Sequence, residues 1–321
     1  MGGAQARLAL LKDAPTDHGC PMTTIASAYQ VTRLFCFGFG HCAAALAQAL
    51  GIGREVAGTA RRPDKLRALK AAGVEGFAFD GTAPLADAAE VLRGTTHILV
   101  SAPPDANGDP VLRHHRADIV KLAPSLRWLG YLSTTAVYGD HDGGWVDEDT
   151  AVAPTSDRAR RRVTAENDWL ALARNHGVPV HIFRLAGIYG PGRNALVDAR
   201  AGQSRRIHKP GQVFSRIHVD DIAHVLIASM AQPVPGRVYN VCDDEPAPGE
   251  DVVVHACRLL GIEPPPAVRF EDAAPTMSEM ARSFYADNKR VRNDRIKREL
   301  GVALRYPDYR AGLAALLAAG E

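Results

Sequence analysis

A chain of 321 residues, 46% hydrophobic and 23% charged, has the composition of an ordinary folded protein, long enough for one large domain or two ordinary ones. The formal net charge of +2 is too mild to argue for nucleic acid, and no apolar run approaches the roughly 20 residues of a membrane span. Five cysteines (Cys20, Cys36, Cys42, Cys242, Cys257) show neither a C-x-x-C pair nor metal-ligand spacing with histidine. They read as reduced thiols of a cytoplasmic protein.

Residues 1–30 lack the apolar core and cleavage site of a signal peptide. They read either as a disordered N-terminal extension or as sequence upstream of a start at Met22. The first strong signal is residues 34–46, LFCFGFGHCAAAL. A short apolar run enters Gly38-Phe39-Gly40, and a small-residue helix follows from Cys42 to a stop at Gly51-Ile52-Gly53. The G-x-G-x-x-A pattern ends on Ala43 and is a dinucleotide fingerprint. Gly38 permits the turn, Gly40 lets backbone approach a pyrophosphate, and Ala43 lets helix pack on strand. With Phe39, His41 and Cys42 these residues form the expected phosphate cradle at a helix N-terminus.

A second strand is predicted over 54–59. About 20 residues beyond the first glycine, an NAD-preferring site holds Asp or Glu on the ribose. Here Gly58, Thr59 and Ala60 lead to Arg61 and Arg62. Guanidinium groups bind phosphate bidentately, so the site is expected to take NADP, with NAD the weaker ligand and Arg61 and Arg62 on the 2′-phosphate. The other reading of the pair is a basic helix start on a solvated face. A helix over 63–72 and a strand over 74–79 follow, ending at Asp80, which either reaches the adenine or forms a turn. A helix over 85–92 and a strand over 97–100 lead into Ser101-Ala102-Pro103, where small residues allow close approach to a ligand. A helix over 110–122 and a strand over 128–132 complete the alternation. The fold class is therefore α/β: a Rossmann-type, doubly wound parallel sheet over 31–190, with ligands at the carboxyl ends of its strands.

The segment after that strand reads Ser133-Thr134-Thr135-Ala136-Val137-Tyr138-Gly139. S-T-x-x-V-Y-G in this place resembles the extended short-chain dehydrogenase/reductase family, the nucleotide-sugar epimerase and dehydratase group. Residues 146–150 (VDEDT), 184–193 (RLAGIYGPGR), 216–222 (RIHVDDI) and 238–244 (VYNVCDD) match its later segments in order. The resemblance implies that Ser133 and Thr134 face the substrate and that Leu185, Gly187 and Ile188 line the cofactor. It also implies that residues 191–321 form mostly a smaller C-terminal α/β substrate lobe, with 213–244 partly returning to the Rossmann sheet.

One motif departs from that pattern. Catalytic members carry Tyr-x-x-x-Lys on the next helix, and aligning on Glu166 puts Arg158 at the Tyr place and Arg162 at the Lys place. No Tyr stands between Gly139 and Gly187. Arg162 retains a positive charge for ribose or phosphate, but Arg158 cannot exchange protons near neutrality. The chain thus resembles an atypical, extended-like subgroup without the pair. The ending 293–313, with Tyr306-Pro307-Asp308-Tyr309, supports that placement. Tyr138 and Tyr189 read as structural, His141 and His218 either as structural histidines or as proton carriers, and Asp220 and Asp221 as loop-fixing residues and not a metal pair. In the lobe, a helix is expected over 194–202, a turn over 207–212, strands over 213–217 and 238–241, and helices over 249–260, 289–301 and 309–319. Two functions follow: an NADP-dependent oxidoreductase or epimerase-like enzyme on a small or nucleotide-sugar-like molecule, or an NADP(H)-binding sensor without turnover. The expected partner is a small-molecule substrate, with no nucleic acid and no membrane; a homodimer is left open.

Overall fold

The computed structural model describes residues 31–51 and 55–321. The expectations for residues 1–30, and for Ile52 and Gly53 as a helix stop, lie outside them. Strand and helix alternate as β1 (Arg33–Phe37), α1 (His41–Leu50), β2 (Glu55–Ala60), α2 (Pro63–Ala71), β3 (Glu75–Ala78), α3 (Ala88–Val91), β4 (His97–Val100), α4 (Pro110–Leu122) and β5 (Trp128–Thr134). After a 3₁₀ turn (Thr135–Tyr138) come β6 (Trp145–Val146), α5 (Asp157–His176), β7 (Val180–Leu185) and β8 (Gly187–Tyr189). The remainder comprises α6 (Ala195–Arg200), β9 (Ile207–His208), β10 (Arg216–His218), α7 (Val219–Ala231), β11 (Val238–Val241), α8 (Gly249–Leu260), β12 (Val268–Arg269), α9 (Phe270–Ala273), α10 (Glu279–Phe284), β13 (Arg290–Val291), α11 (Asp294–Leu300) and α12 (Tyr309–Ala318).

Seven strands form one parallel sheet in the order β11-β7-β5-β4-β1-β2-β3. The chain winds outward from β1 to β3, then crosses to β4 on the other side of β1. That reversal opens a crevice at the carboxyl ends of β1 and β4, where ligands of such sheets sit. β4 (HILV) and β7 (VHIFRL) are buried at every position, because helices cover both faces. One core joins the sheet to α1 and α7 through Leu34, Leu46, Ile222 and Leu226; the other joins it to α4 and α5 through Phe37, Ile119 and Trp169. A third, small core holds Tyr189, Leu196, Ala256 and Leu313, and binds α6, α8 and α12 into the lobe. Asp109 caps α4 by accepting the Val111 and Leu112 N–H groups, with Pro110 in the first turn. No helix among the described residues is long and apolar enough to cross a membrane.

The doubly wound α/β sheet is as expected from the sequence. Several boundaries differ. The helix expected over 85–92 is reduced to Ala88–Val91, because the buried His115 ring takes the Leu85 N–H at 3.1 Å and Asp87 is left-handed at φ 51°. Residues 207–208 form a strand beside Val268–Arg269 and not a turn. The strand expected over 213–217 is confined to Arg216–His218, which pairs with Gly187–Tyr189. Residues 289–301 are not one helix. Arg290–Val291 pairs with Trp145–Val146, and the Asn293 side chain donates to the Cys242 carbonyl at 2.9 Å, so the helix starts only at Asp294. The helix at Val219–Ala231 was not anticipated.

His181 sits in β7 without solvent contact, stacked on Trp128, and its Nε2 accepts the Val234 N–H at 2.9 Å. Burial pushes its pKa down from 6.5 to about 4. The unfolded chain therefore binds the proton first as pH falls. Stability from this group is complete above about 6.5 and is lost as pH drops towards 4, by about 3 kcal/mol in total. Urea unfolding at pH 7 and pH 4.5 should show a larger loss for the wild type than for His181→Asn; equal losses would contradict this account.

Candidate functional site

The glycine turn is held from two sides. The Gly38 N–H donates to Thr59 Oγ1 at 2.8 Å and the Phe39 N–H to the Thr59 carbonyl at 2.8 Å. The Ser101 hydroxyl donates to the Gly38 carbonyl at 2.5 Å. Gly38 has φ 91°, and a Cβ there would lie 2.8 Å from Ser101 Oγ. Gly40 differs: a Cβ on it would meet nothing within 4 Å and would project into open space at the start of α1. Helix α1 has no side-chain cap and no acidic residue in its first turn. A helix start left uncapped beside open space suits a dinucleotide pyrophosphate. Ala43 and Cys42 are buried in the core, and His41 lies beside Gly190. Phe39 lies against Gly58, where a side chain would collide with its ring.

At the end of β2, Thr59 is buried and consumed in holding the turn, which leaves Arg61 and Arg62 exposed just beyond it. Arg62 pairs with Asp64 at 2.8 Å; Arg61 is the freer charge. Asp80 accepts both the backbone N–H and the hydroxyl of Thr82, at 2.9 and 2.7 Å, and these bonds hold its carboxyl below the usual range. It is a turn former in this geometry. Ser101 and Ala102 donate their N–H groups to the Phe37 carbonyl, which sets the 101–104 loop across the crevice from the glycine turn.

Ser133 and Thr134 end β5, with Leu185 of β7 directly beside Thr134. Their hydroxyls are used differently. Ser133 Oγ donates to Glu166 Oε1 at 2.5 Å, and both residues are buried. Thr134 is half-buried, and its Oγ1 accepts the Ala136 N–H at 3.2 Å, leaving its own proton for another acceptor. Glu166 is gripped by Arg184 at 2.8 Å, Arg184 also donates to the Tyr138 hydroxyl at 3.0 Å, and Tyr138 donates to Asn240 Oδ1 at 2.7 Å. The Asn240 N–H continues the chain to Glu148 Oε1 at 2.8 Å. Sequence reasoning quoted Glu166 and Arg184 without pairing them. The available signal was a lone arginine in the mostly apolar strand VHIFRL, because a buried charge requires a partner.

Arg158 and Arg162, expected from the sequence at the family's Tyr and Lys places, both lie on α5. Arg158 and Arg161 are exposed; Arg162 turns inward and donates to the Leu132 carbonyl at 2.6 Å and the Tyr131 hydroxyl at 3.1 Å. Arg162 thus anchors the helix to β5 close to Ser133. Gly187 and Ile188 stand where β8 meets β10, with the Gly187 N–H on the Ser215 carbonyl at 3.1 Å. Tyr138 and Tyr189 are buried, and burial pushes Tyr138 up to about 12 and Tyr189 higher still. Neither releases a proton near neutrality. His141 lies against the Tyr138 carbonyl, His218 caps α7 through the Asp220 N–H, and Asp221 accepts the N–H groups of Arg305 and Tyr306. Among the described residues no cluster of three or more His, Cys, Asp or Glu side chains is placed to hold a metal ion.

With this geometry in view, comparison with known proteins defines the class. The model of the NAD dependent epimerase/dehydratase family matches residues 61–242. The chain belongs to that family. Protein YeeZ of Escherichia coli K12 is 27% identical over 284 residues, covering 84% of this chain and 95% of YeeZ. A solved structure of a functionally unknown conserved protein from Silicibacter pomeroyi is 54% identical with a TM-score of 0.83, over 90% of this chain and 99% of that one. The dTDP-glucose 4,6-dehydratase of Bacillus anthracis, solved in complex with NAD, shares the fold: TM-score 0.72 and 18% identity, over 90% of this chain and 97% of that one.

The two glycines should respond differently to a methyl group. Gly38→Ala forces an L-residue to φ 91° and against Ser101, and should cost about 1–3 kcal/mol of stability in urea unfolding. Gly40→Ala should unfold within about 1 kcal/mol of the wild type yet bind NADPH roughly tenfold more weakly by fluorescence titration. Unchanged NADPH affinity in Gly40→Ala would remove the cradle from the site.

Proposed function

We propose that the chain is an NADP-preferring oxidoreductase or epimerase-like enzyme acting on a small or nucleotide-sugar-like substrate. The observation that carries this reading is the preformed cradle: an uncapped helix start, open space at Gly40, and Arg61 exposed where an NAD site holds a carboxylate. Residues 31–190 serve as the cofactor domain and 191–321 mostly as the substrate lobe, with 213–244 partly returning to the sheet. Gly38, Phe39, Gly40, His41, Cys42 and Ala43 receive the pyrophosphate. Arg61 leads on the 2′-phosphate, with Arg62 shared with Asp64. Asp80, Ser101, Ala102 and Pro103 border the adenosine half; Ser133, Arg162, Leu185, Gly187 and Ile188 border the nicotinamide half. When bound, the nicotinamide supplies hydride transfer. Thr134 orients the substrate through its hydroxyl, whereas Ser133 positions the strand end through Glu166. The Bacillus anthracis relative named above is a nucleotide-sugar enzyme solved with NAD, which supports the substrate class.

A second reading, an NADP(H) sensor without turnover, is favoured by one observation. The Ser133 hydroxyl is committed to Glu166, and by the sequence alignment Arg158 takes the place of the family's acid. Assays of NADPH oxidation and NADP reduction over aldehydes, ketones and nucleotide sugars separate the two: tight NADPH binding without turnover would favour the sensor. For the cofactor itself, Arg61→Ala should lower the NADP-over-NAD affinity ratio by roughly 10- to 100-fold, the worth of a charge-assisted phosphate contact. An unchanged ratio would place the 2′-phosphate elsewhere.

A further inference from the structure

The carboxyl edge of the sheet carries a cation that the site described above leaves out, Arg113, in the first turn of α4. Its guanidinium is engaged with the protein itself. Nη1 donates to Asp105 Oδ1 at 3.0 Å, and Nη2 donates to Asp105 Oδ2 at 2.9 Å and to the Gly81 carbonyl at 2.8 Å. Both hydrogens of Nη2 are thereby used, so the fork serves the protein and not a ligand. Asp105 is a fixed acceptor. It takes the Asn107 N–H on Oδ1 at 2.7 Å, and its backbone closes a turn with Gly108 through bonds of 3.0 and 3.2 Å. The hydrogen bonds from Arg113 hold its carboxyl below the usual carboxylate range.

The two partners of Arg113 belong to different loops. Gly81 follows β3 and Asp105 follows β4, and in the sheet β1 and β2 stand between those strands. The glycine turn and Arg61 follow these two middle strands. Arg113 therefore joins the loops that flank them on either side. The neighbouring side chains of α4 hold one loop only: His114 Nε2 lies 2.9 Å from the Gly81 carbonyl, and His115 Nε2 accepts the Leu85 N–H. Packing reinforces that side, because a Cβ on Gly81, at φ 87°, would lie 2.8 Å from Pro110 Cβ. The base of the other loop is fixed by Asp109, which caps α4 and accepts the Trp169 indole N–H at 3.2 Å. Between these two anchored bases, Arg113 sets how far apart the tips stand.

We propose that Arg113 is a positioning residue for the adenosine half of the dinucleotide: it fixes the spacing of the 80–82 and 105–108 turns and so presets the slot between their loops. The inference rests on the cofactor reading above, which puts Asp80, Ser101, Ala102 and Pro103 beside the adenosine. Its physical basis is preorganisation. The Arg113–Asp105 pair is open to solvent, and such pairs contribute little to folding stability. What it contributes is geometry. A planar fork with two parallel bonds to a carboxylate and a third to a carbonyl fixes direction as well as distance. A lysine would keep the charge and lose the fork. With the tie cut, the ligand must order both loops as it binds, and affinity falls by that cost. The loss stays on the adenosine side, because Thr59 and Ser101 hold the glycine turn independently of Arg113.

The full chain is titrated by calorimetry with NADPH and with 2′,5′-ADP, which carries the adenosine and its 2′-phosphate without the nicotinamide. Arg113→Ala should bind both ligands roughly tenfold more weakly, by the same factor, with a urea-unfolding midpoint close to that of the wild type. Arg113→Lys should lose about as much as Arg113→Ala, since the charge alone does not restore the tie. Asp105→Ala should reproduce the loss, and the double variant should lose no more than either single one. Weaker NADPH binding with undiminished 2′,5′-ADP binding, full affinity in Arg113→Lys, or additive losses in the double variant would overturn the inference. Asp105→Ala carries the same test where Arg113→Ala does not fold. A wild type that binds both ligands, with every variant unchanged, would overturn this inference alone, as would a wild type that binds NADPH and not 2′,5′-ADP. A wild type that binds neither would remove the cofactor reading and this inference together.

Discussion

The buried ion pair between Glu166 and Arg184 is the constraint around which the carboxyl edge of the sheet is built. Both side chains are almost entirely removed from water, and their distance is 2.8 Å. Removing either partner would strand a buried charge at a cost of about 3–5 kcal/mol, far more than a surface pair contributes. The pair also reaches outward. Glu166 takes the Ser133 hydroxyl, Arg184 takes Tyr138, and Tyr138 takes Asn240. One ionic contact thereby fixes the ends of β5, β7 and β11 relative to α5. It also sets how the two hydroxyls at the end of β5 are used: Ser133 donates to Glu166, and Thr134 does not.

The cofactor crevice follows a different logic, one of sterics. Gly38 is a glycine because the turn is left-handed and crowded by Ser101, whereas Gly40 is a glycine with space in front of it. The first serves the fold and the second leaves room for a ligand. Thr59 connects the two ends of the crevice. By accepting the Gly38 N–H it holds the turn at the end of β2, just before Arg61 and Arg62. The exposed charge at that end is then Arg61.

Much of the sheet was legible because parallel strands buried on both faces read as short apolar runs between helices, and the glycine turn read as itself. The lobe was less legible. Its strands are two or three residues long (Ile207–His208, Arg216–His218, Arg290–Val291), and each exists through pairing with a distant segment. No local period announces such pairs. Helix Val219–Ala231 was hidden for the opposite reason: it is buried on most sides, so its pattern is nearly uniformly apolar. In the site, the motif residues were readable one by one, but their partners were not. Nothing in the local sequence joins Ser133 to Glu166 or Arg113 to Gly81. Those links are made by the fold, across 33 residues in the first case.

The central claim is that a dinucleotide binds across the crevice between β1 and β4, with its pyrophosphate over Gly40. Hydrogen–deuterium exchange with and without NADPH tests it most directly. The account predicts slowed exchange at residues 38–46, 59–62, 101–104 and 132–135, with little change in α8 and α12. Slowed exchange confined to the lobe, or none at the glycine turn under saturating NADPH, would contradict it.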